Sequence, residues 1–399
     1  MKKHLIAAAV AAAVAVPAMA QNVEIYGVLD VGYTSTKTDA DINGGANLTN
    51  KTTTTGDGGA WTSSRLGFRG TEDLGKGLKA GFVYEMGMTD SDNATGDSTS
   101  TDVGSLQRTR LSNVFISGGF GSVRLGRSTT IAEMAWGTGD VGGGNNFIGR
   151  AYTSAYRLAN SRSDRLIEYT SPTFSGFTVM AQYGKRKDDN ENLGGVTSAE
   201  VEHKETGFGL RYAAGPLNAM VGYVKEKADG GVALAATTAV SIPGDSLREI
   251  IAGVNYDFGV AKVFFTHVDG NGKNVSLPAQ GTFGAAAASA TAPAGGAAAG
   301  LIGVDKFDTR ISEIGAAFPM GALTLNVSYY DGKIDGREGA GKGKIDIDGY
   351  QLAALYSFSK RTTGYIAYGS ADADFSVSGA GGIVDFNTKQ YGLGIRHSF

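Results

Sequence analysis

Five charged residues lie on segments in which apolar and polar residues alternate: Arg65, Glu85, Arg108, Arg110 and Arg162. Arginine carries a permanent charge and a planar fork of hydrogen-bond donors, and glutamate offers the matching acceptor. Such groups attract, repel and orient charged solutes without forming covalent bonds to them. If the fold gathers them on one wall, they create a field that selects among ions.

Residues for covalent or metal chemistry are scarce. The chain has no cysteine and four histidines, and His203, His267 and His397 stand in no nucleophile motif. An enzyme with a Ser/His/Asp set is therefore the weaker alternative, and we predict no enzymatic activity. Asp346 and Asp348 resemble a fragment of a calcium loop, but alternate aspartates on the hydrated face of a strand explain them better. We predict no metal and no cofactor.

The N-terminus has the features of an export signal. Lys2 and Lys3 precede an alanine-rich apolar stretch over residues 5–16, and a small-x-small pattern ends at Ala20. We predict a cleaved signal peptide over residues 1–20 and a mature domain over residues 21–399, since the stretch is shorter than the ~20 residues of a helical membrane span. Loss of the two lysines changes the formal net charge from −3 to −5, which argues against nucleic acid as a partner.

Strict alternation of apolar and polar residues marks several segments. Residues 177–183 and 323–329 place apolar side chains at odd positions, as a β-strand with two different faces requires. In the last segment, Tyr391, Leu393 and Ile395 share one face. Aliphatic residues bounded by Tyr or Phe are typical of lipid-facing strands with aromatic girdles. A soluble sandwich also alternates, so periodicity alone leaves both folds open.

The lengths of the connections separate these two folds. Short turns are predicted at 73–77, 118–121, 172–176, 214–216, 258–260, 318–321 and 359–361. Long polar or glycine-rich loops alternate with them, at about 35–60, 91–105, 128–160, 188–202, 228–246, 270–304, 333–345 and 374–384. Short turns on one side, long loops on the other and an even number of strands are typical of a bacterial outer-membrane barrel. We therefore predict an all-β fold, a 16-stranded antiparallel transmembrane β-barrel.

In such a barrel, the polar residues that alternate with the apolar ones along each strand line the lumen. Outward-facing apolar pairs are predicted at Leu29/Val31, Leu66/Phe68, Leu111/Phe115 and Ile167/Tyr169. The residues between or beside them then face inward, namely Asp30, Arg65, Arg69, Arg108, Arg110, Ser112, Arg162, Asp164 and Glu168, with Glu85 on a further strand. Lumenal charges stay hydrated and tune selectivity. For any one arginine, an ordinary hydrated wall position remains the alternative.

The segment after Arg127 differs from the other loops. Residues 131–136 are amphipathic enough for a short helical turn, and a glycine-rich stretch follows over residues 137–144. If this loop folds inside the barrel, Glu133 and Asp140 face the arginines across the narrowest point. An ordinary surface loop is the alternative.

Five stretches together resemble a known family: QNVEIYGVLD (21–30), SRLGFRGTEDLG (64–75), GGFGSVRLGR (118–127), YTSPTFSGF (169–177) and YGLGIRHSF (391–399). They are similar to the trimeric general porins of Gram-negative bacteria, particularly the β-proteobacterial kind, over the whole mature chain. The resemblance implies a 16-stranded barrel with an inward-folded third loop, three to a trimer, located in the outer membrane. It also implies passive diffusion of small hydrophilic solutes and ions through a water-filled channel. A substrate-specific porin is the alternative within the same fold.

The resemblance also implies roles for individual residues. Arg65, Arg110 and Arg162 match the family's arginine cluster, Arg108 adds a fourth charge, and Arg127 stands where the third loop begins. Across the constriction, the expected acidic residues are Glu133 and Asp140, with Glu85 on the wall beside the arginines. The terminal Phe399 is similar to the signal that the outer-membrane assembly machinery reads. The expected partners are two further copies of the chain, outer-membrane lipid including lipopolysaccharide, and the assembly machinery.

Overall fold

The computed structural model describes residues 23–42, 48–56, 61–88, 106–142, 147, 159, 161–189, 200–229, 246–276, 303–338, 341–377 and 383–399. Strands β1 to β9 are Glu24–Ile42, Leu48–Gly56, Arg65–Gly75, Leu78–Met88, Leu106–Gly118, Gly121–Thr129, Arg162–Thr170, Phe177–Asp189 and Glu200–Ala214. Strands β10 to β17 are Leu217–Asp229, Ser246–Asp257, Lys262–Ser276, Gly303–Met320, Leu323–Glu338, Gly341–Ser357, Thr362–Val377 and Ile383–Ser398. The described residues include one helix, α1, which spans Ile131–Gly139 between β6 and β7.

All strands belong to one antiparallel sheet that closes on itself. Each strand from β3 to β17 pairs with its neighbours in sequence, and β17 pairs with β1 from Val28 opposite Ser398 to Ile42 opposite Val384. Strands β2 and β3 both pair with β1, β2 with its later half and β3 with its start, so together they fill one position. The 17 strand segments therefore form a closed barrel of 16 positions, which confirms the predicted fold. In the described ranges, no helix is long and apolar enough to cross a membrane.

The two faces of the wall differ in character. The face that we call the apolar face exposes large apolar side chains, such as Leu393 and Ile395, each 55% exposed. Aromatic side chains flank this band at both ends, for example Tyr368 and Tyr391, whose ring centroids lie 4.9 Å apart, and Tyr356 and Phe358 at 5.1 Å. The opposite face, which we call the polar face, carries most of the buried polar side chains. The alternation predicted from the sequence is confirmed on β8, β14 and β17.

All seven predicted short turns lie between consecutive strands. In the turn that joins β3 to β4, Gly75 and Gly77 adopt φ values of 81° and 78° that glycine reaches without steric cost.

Three predicted loops are partly wrong, and one of them is 374–384, where β16 continues to Val377 and β17 begins at Ile383. Most of the 35–60 loop is strand, because β1 continues to Ile42 and β2 begins at Leu48. Similarly, β14 and β15 leave only a gap at residues 339–340 within the predicted loop 333–345. In the first loop the Thr, Lys and Asp residues are hydrophilic on both faces, whereas in the second Ile334 is buried and Lys333 and Asp335 are exposed. In both, the backbone groups complete the inter-strand ladder.

The predicted signal peptide, residues 1–20, lies outside the described residues. So does most of the alanine-rich stretch within the predicted 270–304 loop, since β12 ends at Ser276 and β13 begins at Gly303.

Candidate functional site

Helix α1 begins with a side-chain cap. Thr130 has extended backbone angles, and its Oγ1 accepts a hydrogen bond from the backbone N–H of Glu133 at 3.3 Å. This contact satisfies one of the free N–H groups of the first turn, and the Glu133 carboxylate there is favourable to the helix dipole. The helix ends at Gly139, after which Asp140 returns to extended angles. The predicted short helical turn at residues 131–136 is confirmed and is slightly longer than expected.

A set of glycines receives this helix on the polar face of the wall. We call Gly207, Gly209, Gly222 and Gly253 the glycine track; they lie on β9, β10 and β11. A Cβ atom at Gly222 would lie 2.9 Å from Ile131 Cγ2, and one at Gly253 would overlap the carbonyl oxygen of Ala135. Because these residues lack side chains, the helix backbone approaches the strands directly, and Ile131 and Ala135 are fully buried.

Amide side chains from the wall hold both ends of the helix. At its start, Gln182 Oε1 accepts from the Ile131 N–H at 2.8 Å, and Gln182 Nε2 donates to the Thr129 carbonyl at 2.8 Å and to Glu168 at 2.7 Å. At its end, Asn255 Nδ2 donates to the Thr138 carbonyl at 2.6 Å. These buried bonds replace partners that the helix ends would otherwise find in water.

Glu85 on β4 is the centre of a charged group on the same polar face. Arg110 on β5 donates to its carboxylate at 2.6 Å, and Tyr26 on β1 donates at 3.1 Å. Arg65 on β3 lies 3.8 Å away. The Glu85 side chain is only 8% exposed, whereas the Arg65 side chain is 26% exposed. One buried carboxylate is thus shared by two arginines, which leaves net positive charge at this point of the wall.

Two further predicted arginines extend the charged group. Arg127 donates to Asp164 at 2.7 Å and to the Thr109 carbonyl at 2.8 Å. Arg162 interacts electrostatically with Arg110, Arg127, Glu85 and Glu133. The structure therefore brings four predicted residues together, and we call Arg65, Arg110, Arg127 and Arg162 the arginine cluster. Glu133, on the first turn of α1, is the acidic residue of the helix within electrostatic range of Arg162.

Asp140 is placed differently. It is 2% exposed and accepts a hydrogen bond from the Gly142 N–H at 3.0 Å. Its neighbour Val141 lies against Gly315 of β13, and Asn326 of β14 donates to the Val141 carbonyl. Asp140 is therefore held at the far end of the helix from Glu133. For Arg108, the structure describes only the backbone, opposite Gly87 of β4.

The predicted outward positions of Leu111 and Phe115 are wrong. The exposed apolar residues of β5 are Val114 and Ile116, at 56% and 49%, and Phe115 stacks beneath the guanidinium of Arg124. The cause is a β-bulge: Glu85 pairs with Leu111, but the next residue of β4 pairs with Thr109, so Arg110 is an extra residue. A bulge changes which face each later residue of the strand points to. Residues 111–118 therefore face opposite to the prediction, whereas Arg110 itself still lies beside Glu85.

Several residues of this site have no counterpart in the predicted set. Tyr26 completes the bonding of Glu85, Arg396 of β17 interacts with both Arg65 and Asp30, and Arg124 lies 3.7 Å from Glu168. The alternation of β17 already placed Arg396 on the polar parity, so its position was readable from the sequence. Its proximity to β3 was not, because it depends on closure of the barrel.

The described residues contain no group of three or more His, Cys, Asp or Glu side chains that could hold a metal ion. Asp346 pairs with Lys344, and Asp348 lies opposite Asp331 and Asp372 in the sheet. His267 hydrogen-bonds Ser312 and His397 hydrogen-bonds Thr362, each across to the adjacent strand.

Comparison with known proteins agrees with this architecture. The Gram-negative porin family matches residues 7–376. An outer membrane porin protein of Bordetella pertussis is 30% identical over 423 residues, covering 100% of both chains. Among solved structures, an anion-selective porin from Comamonas acidovorans is 25% identical, covers 95% of this chain and 100% of its own, and has a TM-score of 0.59. A trimer form of OmpT from Vibrio cholerae is 15% identical with the same coverage and a TM-score of 0.58, which is a likeness of fold.

Family and fold indicate a channel rather than an enzyme. The apolar face of a closed barrel with aromatic rims suits a bilayer, and the homologues are outer-membrane porins. The chain is an outer-membrane protein and belongs to the Gram-negative porin family.

Proposed function

We propose that the protein is a passive diffusion channel whose ion selectivity is set by the arginine cluster. The observation that carries this proposal is the convergence of Arg65 and Arg110 on the single carboxylate of Glu85. Two positive charges share one negative charge, and Arg162 and Arg127 lie next to them. The wall here favours small anions over cations of the same size.

Helix α1 is proposed as the inward-folded third loop that narrows the channel opposite this wall. Its support is the packing of Ile131 and Ala135 on the glycine track, on the face opposite the exposed apolar band. Glu133 on its first turn interacts with Arg162, so an ion passing between helix and wall experiences both signs of charge. This transverse field orients dipolar solutes as they pass. Asp140 is proposed as a weaker contributor that stands outside the charge balance at the arginine cluster, because it is buried at the far end of the helix and accepts a hydrogen bond from the Gly142 N–H.

Anion preference follows from the charge balance among the described residues of the constriction. Arg65, Arg110, Arg127 and Arg162 are positive, while Glu85, Glu133 and Asp164 are negative. Arg108 adds a further positive charge on the strand of Arg110. The related porin from Comamonas acidovorans is itself described as anion-selective, which supports the same sign here.

The remaining parts of the proposal concern assembly. We propose that residues 1–20 are removed on export, and that the mature chain forms a homotrimer in contact with lipopolysaccharide. Phe399 is the proposed recognition signal for the assembly machinery. Its backbone exchanges two hydrogen bonds with Gly27, at 3.0 and 3.1 Å, so the last residue completes the seam between β17 and β1.

The test is a set of single substitutions, Arg65→Gln, Arg110→Gln and Arg162→Gln, measured as reversal potentials under a KCl gradient in planar bilayers. At a distance of about 7 Å in a water-like dielectric, one charge changes the energy of a passing ion by ~0.6 kcal/mol. Because anion and cation respond with opposite sign, the two changes add to ~1.2 kcal/mol, and each substitution should lower the anion/cation permeability ratio by roughly sevenfold. The effect should shrink above about 1 M salt, where the Debye length is about 3 Å.

The matched control is Arg310→Gln. Arg310 lies on β13 with a side chain that is 74% exposed, on the same parity as the apolar Ile314. This variant removes the same charge from the outside of the barrel and should leave the ratio unchanged. If all three cluster variants behave like Arg310→Gln, the arginine cluster does not set selectivity.

A further inference from the structure

A short stretch between β2 and β3 leaves the regular ladder of the wall. Gly56 pairs with Gly32 of β1, and Arg65 pairs with Val28. Only three residues of β1 lie between these two pairings, and the described residues just before Arg65, 61–64, belong to no strand. We call residues 61–64, the described part of this stretch, the inward segment.

The inward segment packs on the polar face. Trp61 is 2% exposed, and its ring centroid lies 5.8 Å from that of Tyr365 on β16. Tyr365 is buried, whereas its neighbour Ile366 is 61% exposed on the apolar face. Trp61 is thus on the same side of the wall as the arginine cluster.

One carboxylate holds this segment. Asp30 of β1 is fully buried between the exposed Leu29 and Val31. Its Oδ2 accepts from the Thr62 N–H at 2.8 Å, and its Oδ1 accepts from the Tyr365 hydroxyl at 2.6 Å. The Trp61 N–H also bonds this carboxylate.

The backbone of Asp30 also bonds the inward segment. Its N–H donates to Ser64 Oγ at 3.0 Å, and Ser64 Oγ donates to its carbonyl at 3.3 Å. Both ends of the inward segment are therefore bonded to one residue. A carboxylate with several donors is a strong and directional anchor, because charged acceptors form shorter hydrogen bonds.

The inward segment leads directly into the arginine cluster. Arg65 is the next residue, and its Nη1 donates to the Ser63 carbonyl at 3.2 Å. The Ser64 carbonyl accepts from the Met88 N–H at 2.9 Å, which ties the segment to β4, the strand of Glu85. The guanidinium of Arg65 is thus supported on one side by Glu85 and on the other by a backbone carbonyl of the inward segment.

We propose that Asp30 and Tyr365 hold the inward segment as a second narrowing element of the channel, and that Asp30 is a positioning residue for Arg65. Two elements then shape the lumen, α1 from β9 to β11 and the inward segment at β1 and β16. This proposal rests on the proposed role of Arg65 in selectivity. In this proposal, Asp30 affects ion selectivity through the position of the Arg65 guanidinium. It does not act on the permeating ion through its own charge.

The first measurement follows the segment itself. The chain has two tryptophans, so Trp136→Phe leaves Trp61 as the only reporter. In that background, Asp30→Asn should shift Trp61 emission to longer wavelength and make it accessible to iodide, and Tyr365→Phe should do so to a smaller extent. The matched control is Asp39→Asn, an exposed carboxylate on the same strand that bonds Lys37 and Thr49. If Asp30→Asn leaves Trp61 emission as unchanged as Asp39→Asn does, Asp30 does not hold the segment.

The second measurement separates positioning from direct charge. Asp30→Asn is compared in the wild-type protein and in Arg65→Gln, with the anion/cation permeability ratio as the readout. A positioning residue should change the ratio in the wild type and lose most of that effect once Arg65 is absent. An equal fold-change in both backgrounds would mean that Asp30 acts only through its own charge, which overturns the inference. Failure of Arg65→Gln alone to alter the ratio would instead refute the proposed function, whatever Trp61 reports.

Discussion

Replacing Gly253 by alanine tests how helix α1 is seated on the wall. A Cβ atom there would overlap the carbonyl oxygen of Ala135 and lie 2.8 Å from the backbone nitrogen of Gly139. Both contacts are with helix backbone, so no side-chain rotation can relieve them. The helix must move away from β11 by a substantial fraction of an ångström, and with α1 inside the barrel as proposed above, that movement is into the lumen.

Two magnitudes follow from this geometry. Overpacking of a tight interface typically costs about 1–3 kcal/mol, so Gly253→Ala should lower the free energy of unfolding by that amount in urea titrations of the protein in lipid vesicles. Single-channel conductance in planar bilayers should fall as well, because the displaced helix narrows the passage. The variant should still insert, since the apolar face is unchanged.

Alanine substitutions at two other glycines serve as comparisons for Gly253→Ala. Gly119→Ala places its Cβ where nothing lies within 4 Å, and Gly207→Ala places it 3.3 Å from the flexible end of Ile131. The first should match the wild type and the second should show a small effect. If Gly253→Ala has the stability and conductance of Gly119→Ala, helix α1 is not packed on the glycine track as described.

Two further predictions concern the partners of the site. Glu85→Gln removes the carboxylate shared by Arg65 and Arg110, so the anion/cation permeability ratio should rise; an unchanged or lower ratio in reversal-potential measurements would contradict the charge balance given above. Gln182→Leu removes the acceptor of the Ile131 N–H and the donor to the Thr129 carbonyl, and leaving buried groups unpaired should cost about 1–3 kcal/mol in urea unfolding. The exposed substitution Arg310→Gln is the control there, and equal stability of the two variants would show that the helix start needs no support from β8.

The barrel wall was largely readable from the sequence. Alternation such as that of residues 323–329 and 391–395 is strict, because a residue on the apolar face meets hydrocarbon and a charge there costs several kcal/mol. The short turns were equally clear, since the peptide between two hydrogen-bonded strands has few allowed conformations. Errors occurred where strands continue past the apolar band, as at the predicted 35–60 and 333–345 loops. There the outward residues are polar, such as Lys333 and Asp335, so the apolar alternation that marks a lipid-facing strand is missing.

The sequence predicted which arginines lie close together better than it predicted how they are arranged. Arg65, Arg110, Arg127 and Arg162 do come together, but the orientation assigned to Leu111 and Phe115 was wrong because one bulged residue reverses the parity of β5. A bulge is a property of the pairing with β4, and periodicity within β5 cannot show it. Glu133 lies within range of Arg162, whereas Asp140 is buried at the other end of the helix.

By itself, then, the sequence determined the all-β barrel, the strand count and which residues carry the charge, because each depends on a local period of two imposed by lipid on one side. Only the tertiary structure decided that β17 brings Arg396 beside Asp30, that the glycine track receives α1, and that the Asp30 carboxylate captures the stretch before Arg65. These contacts join residues that are tens to hundreds of positions apart. They exist only once the sheet has closed, so no local pattern encodes them.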